Sequence, residues 1–222
     1  MWLAHMANFC KLYAQVTKRT DHHKMRTATS SFLFAVFLTV LLAGCSKQAK
    51  EEPQPIPTPD DYIKYTIRKG QQFSDQSSLV AVSYSELKFT VKFDNTAIYQ
   101  TTDPANQEDI NKLYGFSDNN SVHQDFSARF GWNWARDSLR LYAYIYNDGV
   151  RLSQEIAPIV AGNEYNCSIK VNDSSYIFKL DDKTVTMPRT SATGKAEGYK
   201  LYPYFGGNET APHDIFIWIR EL

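Results

Sequence analysis

Cysteine is scarce in this 222-residue chain, which contains only Cys10, Cys45 and Cys167. Cys10 and Cys45 precede the part of the sequence that has strand-like patterns, so Cys167 is left without a partner. This distribution excludes a disulfide framework and a cysteine-based zinc site. Because Cys167 lies in a strand-like run, we expect it to be a small buried hydrophobe rather than a reactive thiol.

An excess of positive charge is also missing. The chain has 24 basic and 24 acidic residues, and its formal net charge is zero. Residues 1–44 hold five basic residues and one acidic residue, so the rest of the chain has a formal net charge of −4. Nucleic-acid binding requires a basic stripe, and this composition therefore argues against a nucleic acid as partner.

No apolar run reaches the roughly 20 residues of a membrane-spanning helix. The run FLFAVFLTVLLA, at residues 32–43, follows Lys24 and Arg26 and has the form of a signal-peptide core. The next residues, Gly44 and Cys45, complete the string LAGC, which resembles the bacterial lipobox. That resemblance implies cleavage before Cys45, diacylation of its thiol, and a lipid anchor in the bacterial cell envelope, with the outer membrane expected. A secretory signal with a chance cysteine is the alternative.

These features divide the chain into three parts. Residues 1–44 are a leader with a signal peptide, and translation from Met25 rather than Met1 stays open. Residues 45–61 are a lipidated tether, because their prolines and charges cannot bury enough apolar surface to fold. Residues 62–222 are a suitable size for one domain with one core.

Two neighbouring segments near the middle of the chain carry strong strand patterns. Side chains of a strand alternate between its faces, and residues 126–134 and 139–146 each place apolar side chains on one face. Residues 135–138 read as the turn between them. The apolar face comprises Phe126, Ala128, Phe130, Trp132, Trp134, Leu139, Leu141, Ala143 and Ile145.

The opposite face of these two strands supplies the candidate ligand-binding residues. They are Arg129, Asn133, Arg140, Tyr142, Tyr144 and Tyr146. Tyrosine offers flat apolar area with a polar tip, so this surface suits polar, ring-shaped ligands. The alternative is that another element covers the face and that Arg129 is a buried ion-pair partner of Asp125.

Further strand patterns predict an all-β domain. They occur at residues 62–68, 87–94, 150–156, 164–171, 176–180, 184–187, 198–205 and 215–219. Asp103, Pro104 and Gly115 frame one short helix, which we predict at residues 106–114. About ten short strands with turns every 8–12 residues indicate an antiparallel sandwich or a closed barrel.

Three strings of residues carry a family resemblance within roughly residues 113–222. They are LYGFSDNNSVHQDFSARFGWNW, LYAYIYNDGVR and LYPYFGGNETAPHDIFIWI. They resemble an uncharacterised family of Bacteroidetes lipoproteins, and the strand order is similar to that of concanavalin A-like lectin and glucanase jelly rolls. The resemblance implies a jelly-roll β-sandwich with a concave sheet face that binds glycans. Lectins, laminarinase-type hydrolases and polysaccharide lyases all share this architecture, so it does not decide the activity.

Two enzymatic interpretations depend on particular residues. The sequence lacks the E-x-D-x-E string whose alternate carboxylates would serve a retaining glucanase. A polysaccharide lyase needs a cation or amide to neutralise the substrate carboxylate and a Tyr or His to remove the neighbouring proton. The candidate catalytic residues for that reaction are His123, Arg129, Lys200 and Tyr202. Lys200 and Tyr202 resemble the lysine and tyrosine strand of alginate lyases, but the Q-x-H motif is absent.

No cofactor is predicted. Gly206 and Gly207 precede a strand rather than a helix, which argues against a phosphate-binding loop. No metal site is predicted either, although the acidic residues Asp60, Asp61, Asp181, Asp182 and Asp214 leave a structural calcium ion open.

Three functional hypotheses follow from the sequence. The first is a lipid-anchored envelope protein that binds a carbohydrate on the Arg129 and Tyr142 face. The second is a polysaccharide lyase that acts on uronate-containing glycans. The third is a structural envelope lipoprotein without a ligand.

Overall fold

The computed structural model describes residues 61–222, which fold into a β-sandwich of two six-stranded sheets. The predicted signal peptide, the predicted lipidation site Cys45 and the predicted tether up to residue 60 lie outside the described residues. Within residues 61–222, no helix is both long enough and apolar enough to cross a membrane.

The first sheet, called sheet I here, is entirely antiparallel. In spatial order its strands are β1 (Ile63–Ile67), β12 (Ile215–Glu221), β3 (Glu86–Phe93), β8 (Glu164–Val171), β9 (Ser175–Leu180) and β10 (Lys183–Pro188).

The second sheet, called sheet II, is also antiparallel and carries the two central strands of the sequence. In spatial order its strands are β2 (Ala81–Tyr84), β11 (Ala196–Leu201), β4 (Asn111–Ser117), β5 (Phe126–Ala135), β6 (Ser138–Asn147) and β7 (Val150–Ile159). Chain neighbours β1 and β2 therefore lie in different sheets, as in a jelly roll, and the predicted fold class is confirmed.

The core lies between the sheets and is largely aromatic. Phe130 of β5 packs edge-on against Phe89 and Phe178 of sheet I, with ring centroids 5.5 and 5.3 Å apart. Trp132 packs against Phe93 at 5.4 Å. Such edge-to-face and tilted contacts are favoured by the ring quadrupoles and exclude water. The core therefore fixes which face of β5 and β6 points outward.

The turn predicted between the two central strands is also confirmed, and a similar turn follows the second of them. Arg136 and Asp137 join β5 to β6 with φ angles of 52° and 55°, and Asp148 and Gly149 join β6 to β7 with φ angles of 53° and 74°. Two successive positive φ angles are typical of the type I′ hairpin turn, whose twist matches that of the strands.

The helix predicted at residues 106–114 is wrong. Asp103 and Pro104 start only a 3-10 turn, Pro104–Asn106, in which the Asp103 carboxylate accepts a hydrogen bond from the Ala105 amide at 2.9 Å. The following residues form strand β4, whose pairing with β5 shifts register between Lys112 and Gly115. This bulge breaks the alternation that identifies a strand in a sequence.

Candidate ligand-binding groove

A groove of about 420 Å³ lies on the outer face of sheet II. Strands β4, β5, β6, β7 and β11 form its floor and walls, together with residues from the segments 73–77 and 201–204. The lining residues are Phe73, Ser77, Lys112, His123, Gln124, Arg129, Tyr144, Tyr146, Arg151, Lys200, Leu201, Tyr202, Pro203 and Tyr204.

The charged residues of this lining are all basic. Lys112, Arg129 and Arg151 approach the groove from β4, β5 and β7, and the lining contains no Asp or Glu. The described domain as a whole is not basic, so the positive charge is concentrated here by the fold. A cleft lined by charge of one sign attracts ligands of the opposite sign.

Arg129 is the central cation of the groove, and a glycine allows its placement. Gly115 of β4 lies opposite Arg129 in the sheet. A Cβ atom at residue 115 would lie 2.5 Å from the Arg129 Cα, so any larger residue would push the two strands apart. The guanidinium lies over the Tyr144 ring on the next strand, 5.4 Å from the ring centroid.

The Arg129 guanidinium has no counter-charge within residues 61–222. The residue is only 7% exposed, its buried Nε has no hydrogen-bond partner, and Asp125 does not pair with it. Burial lowers the pKa of Arg129, while the nearby tyrosines act in the opposite direction. Because arginine nevertheless stays protonated, the groove contains a buried charge that the described domain does not neutralise.

Lys112 is a second groove cation that sequence analysis missed. Its Nζ lies 5.4 Å from the centroid of the same Tyr144 ring. Burial, and then repulsion from Arg129 and Arg151, lower the pKa of Lys112 to about 8. The sequence placed Lys112 in a helix, where its relation to Arg129 was invisible.

His123 and Tyr199 form a polar pair in the groove region. The Tyr199 hydroxyl lies 2.9 Å from His123 Nδ1 and accepts a hydrogen bond from the His123 amide at 3.1 Å. Burial and the charge of Arg129 lower the pKa of His123, so the imidazole is neutral at neutral pH. Its Nε2 is then a donor or an acceptor, depending on the tautomer.

A buried ion pair holds the segment that carries His123. Asp118, at the end of β4, accepts hydrogen bonds from Arg189 Nε at 2.8 Å and from the Tyr176 hydroxyl at 2.6 Å. Further along, the Ser127 hydroxyl donates to the His123 carbonyl at 2.7 Å. The segment that carries His123 is thus held by hydrogen bonds near both of its ends.

Three of the predicted ligand-binding residues, Asn133, Arg140 and Tyr142, are not part of the groove lining. Asn133 is fully buried, where its side chain donates to the Glu108 carbonyl and accepts from the Tyr142 hydroxyl at 3.1 Å. Arg140 is paired with Glu155 at 2.6 Å. The segment before β4 covers this half of the face. In the other half Arg129 and Tyr144 are 7% and 2% exposed, so the expectation that the row faces solvent is wrong, and only Arg140 and Tyr146 are half-buried.

The four residues predicted for a lyase are only partly assembled. His123 and Arg129 both line the groove. The Lys200 ammonium, however, donates to Glu221 at 2.6 Å, and the Tyr202 ring packs against Tyr65 at 6.0 Å. Both residues also line the groove, but the Lys200 ammonium is paired, and the Tyr202 hydroxyl lies 3.4 Å from the Ser78 hydroxyl. Tyr199, the neighbour of Lys200, is the residue that contacts His123.

The acidic residues considered for calcium do not form a cluster in the described part of the chain. No three His, Cys, Asp or Glu side chains gather there. Asp181 instead accepts from the Asn166 amide, and Asp214 from the Lys69 amide. Asp60 lies outside the described residues.

Comparison with known proteins gives structural matches at low identity. No protein-family model and no curated protein matches the sequence. The alginate lyase vAL-1 from Chlorella virus matches with 10% identity and a TM-score of 0.47, over 75% of this chain and 86% of the lyase. A family 16 glycoside hydrolase from the mixed-linkage glucan locus of Bacteroides ovatus matches with 15% identity and a TM-score of 0.46, over 75% and 83%. The galectin-1-L2 of Dario rerio matches with 11% identity and a TM-score of 0.41, over 66% and 96%. At these values none of the three assigns a ligand or a reaction to the groove.

Removal of the Arg129 charge tests whether the charge is uncompensated. We expect Arg129→Met to raise the free energy of unfolding by about 1–3 kcal/mol, because it replaces a buried, unpaired charge with an apolar side chain of similar length. Arg140→Met is the matched control, and it should lower the free energy of unfolding because it breaks an ion pair. Urea denaturation measures both. Equal destabilisation by the two variants would show that Arg129 has a structural partner.

Proposed function

We propose that this protein is a lipid-anchored cell-envelope protein that binds an acidic carbohydrate in the groove of sheet II. The observation that carries the proposal is the buried Arg129 guanidinium, which has no partner in the described domain and faces a groove without acids. A buried charge is costly unless it is paired, and an anionic ligand supplies the missing pair.

The second cation strengthens the proposal of an anion. Arg129 and Lys112 each lie 5.4 Å from the centroid of the Tyr144 ring, and both line the same groove. An arginine fork binds carboxylate or sulfate through two hydrogen bonds, while a lysine adds a point charge. A uronic acid or a sulfated sugar carries such a group.

The remaining lining favours a sugar over a simple ion. Tyr146 and Tyr204 present rings with hydroxyl tips, and Gln124 adds an amide. Alternating flat apolar area and hydrogen-bonding groups match the faces and hydroxyls of a sugar ring. A groove of about 420 Å³ is also larger than one inorganic anion needs.

The lipid anchor and the envelope location are proposed from the lipobox at residues 42–45 and the charged, proline-rich tether behind it. The tether spaces the binding domain from the membrane. Cys45→Ser should release the domain from the membrane fraction into the soluble fraction. Retention of the variant at the membrane would rule out lipidation as the anchor.

Glycan binding is tested most simply at Tyr144. On an array of acidic glycans and their carboxyl-reduced forms, we expect the protein to bind only acidic forms. Tyr144→Ala should weaken binding about tenfold or more, because it removes the ring beside both cations.

Two controls accompany that variant. Tyr144→Phe keeps the ring and should retain most of the affinity. Lys179→Ala changes an exposed residue of sheet I and should change nothing. If the protein binds neutral glycans equally well, the anionic specificity is wrong. If it binds none, a structural role without a ligand is the better interpretation.

A polysaccharide lyase is the second candidate, and the His123–Tyr199 contact favours it. In such a reaction the groove cations neutralise a uronate carboxylate, and a neutral imidazole or a tyrosine removes the proton on the adjacent carbon. The bond from the next carbon to the glycosidic oxygen breaks, a carbon–carbon double bond forms, and the leaving oxygen receives a proton from the other member of the His123–Tyr199 pair. His123 lines the groove, and the Tyr199 hydroxyl lies 2.9 Å from its Nδ1.

The unsaturated product distinguishes a lyase from a binding protein. Incubation with polygalacturonate and alginate should leave the ultraviolet absorbance of unsaturated uronate unchanged if the protein only binds. A steady rise that disappears in His123→Gln and Tyr199→Phe would establish the lyase instead.

A further inference from the structure

Phe73 is an exposed aromatic residue at the mouth of the groove. It is 57% exposed and lines the groove with Tyr204. Within residues 61–222 it is the only exposed Phe or Trp, since all the others are buried or half-buried. Packing in the core therefore does not explain why a phenylalanine occupies this position.

The backbone around Phe73 is fastened to the sheet. Gln72 Nε2 donates to the carbonyls of Gly207 and Glu209 at 3.3 and 3.2 Å, and the Ser74 amide donates to the Pro203 carbonyl at 3.3 Å. Ser74 is itself buried. The ring is therefore presented from a fixed position rather than from the tip of a free loop.

Backbone pairing places Phe73 in line with Lys112, one of the groove cations. Phe73 forms an antiparallel bridge with Tyr204, and Tyr204 forms another with Lys112. Each bridge spans one strand spacing, so Phe73 and Lys112 lie roughly 10 Å apart along this line. On the next strand, β5, Lys112 pairs with Gly131, and Arg129 lies two residues before Gly131.

We infer that Phe73 is the stacking platform of a second subsite, which holds a sugar ring next to the ring whose anionic group binds Arg129 and Lys112. This inference rests on the proposed function and adds to it that the ligand is an acidic oligosaccharide rather than a monosaccharide. A pyranose ring has a flat face of C–H groups, which packs on an aromatic face and leaves its hydroxyls in water.

A ladder of oligogalacturonates from the monosaccharide to the hexasaccharide, measured by calorimetry, tests the inference. For the wild-type protein we expect affinity to increase when the ligand becomes long enough to reach Phe73. Phe73→Ala should remove this increase, with a loss of about tenfold for the longer ligands and little change for the shortest. Phe73→Trp keeps an aromatic face and should retain the increase.

Arg129→Met separates failure of the inference from failure of the proposed function. It should weaken binding of every member of the ladder, because all of them use the anion site. If Arg129→Met has this effect and Phe73→Ala keeps the length dependence, only the second subsite is wrong. If the wild-type protein binds no member, the proposed function and the inference both fail. Since Phe73 is exposed, its variants should melt at the wild-type temperature.

Discussion

An uncompensated guanidinium on β5 determines the chemistry of the groove. Burial of a charge without a partner opposes folding, and natural domains retain such a group where it has a use. The unfavourable free energy of burying Arg129 is offset by the aromatic core, which packs on the other face of the same strand. Phe130 and Trp132 alternate with Arg129 along β5, so one strand both stabilises the sandwich and presents the cation.

The fold brings the remaining groups to that cation. Strand β4 contributes Lys112 beside it, and the bulge after Lys112 turns Tyr114 toward the core while Gly115 lets β5 approach closely. The buried Asp118–Arg189 pair then fixes the segment that returns to β5 and carries His123. A ligand would therefore meet groups whose positions are set before it binds, which limits the entropy cost of binding.

The sequence was informative where the strand alternation is regular and misleading where it is broken. Residues 126–146 could be assigned to two strands and to faces because neither strand has a bulge against the other. The sequence of strand β4 predicts a helix for two reasons. Asp103 and Pro104 are typical of a helix start and Gly115 of a helix end, and the bulge interrupts the alternation of side chains that identifies a strand. Strand β2 was missed because its four residues are too few to show a pattern.

For the site, the alternation of side chains predicts which residues share a face of the sheet. It does not predict which other segments pack over that face. It placed Arg129, Tyr144 and Tyr146 together on the groove side, where the structure also has them. It had no means of showing that residues 107–110 lie over Asn133, or that Lys200 turns to Glu221, because both depend on contacts between distant segments. Lys112 and Phe73 join the groove through such contacts as well.

The most direct measurement of the central claim is the nitrogen-15 NMR signal of Arg129 Nε during titration with an oligogalacturonate. This N–H is buried and unpaired in the structure, so its resonance reports whether an anion reaches the guanidinium. A large shift that saturates together with binding would agree with a carboxylate pairing with Arg129. Saturable binding that leaves this resonance unchanged would show that the ligand site lies elsewhere and that the buried charge has another cause.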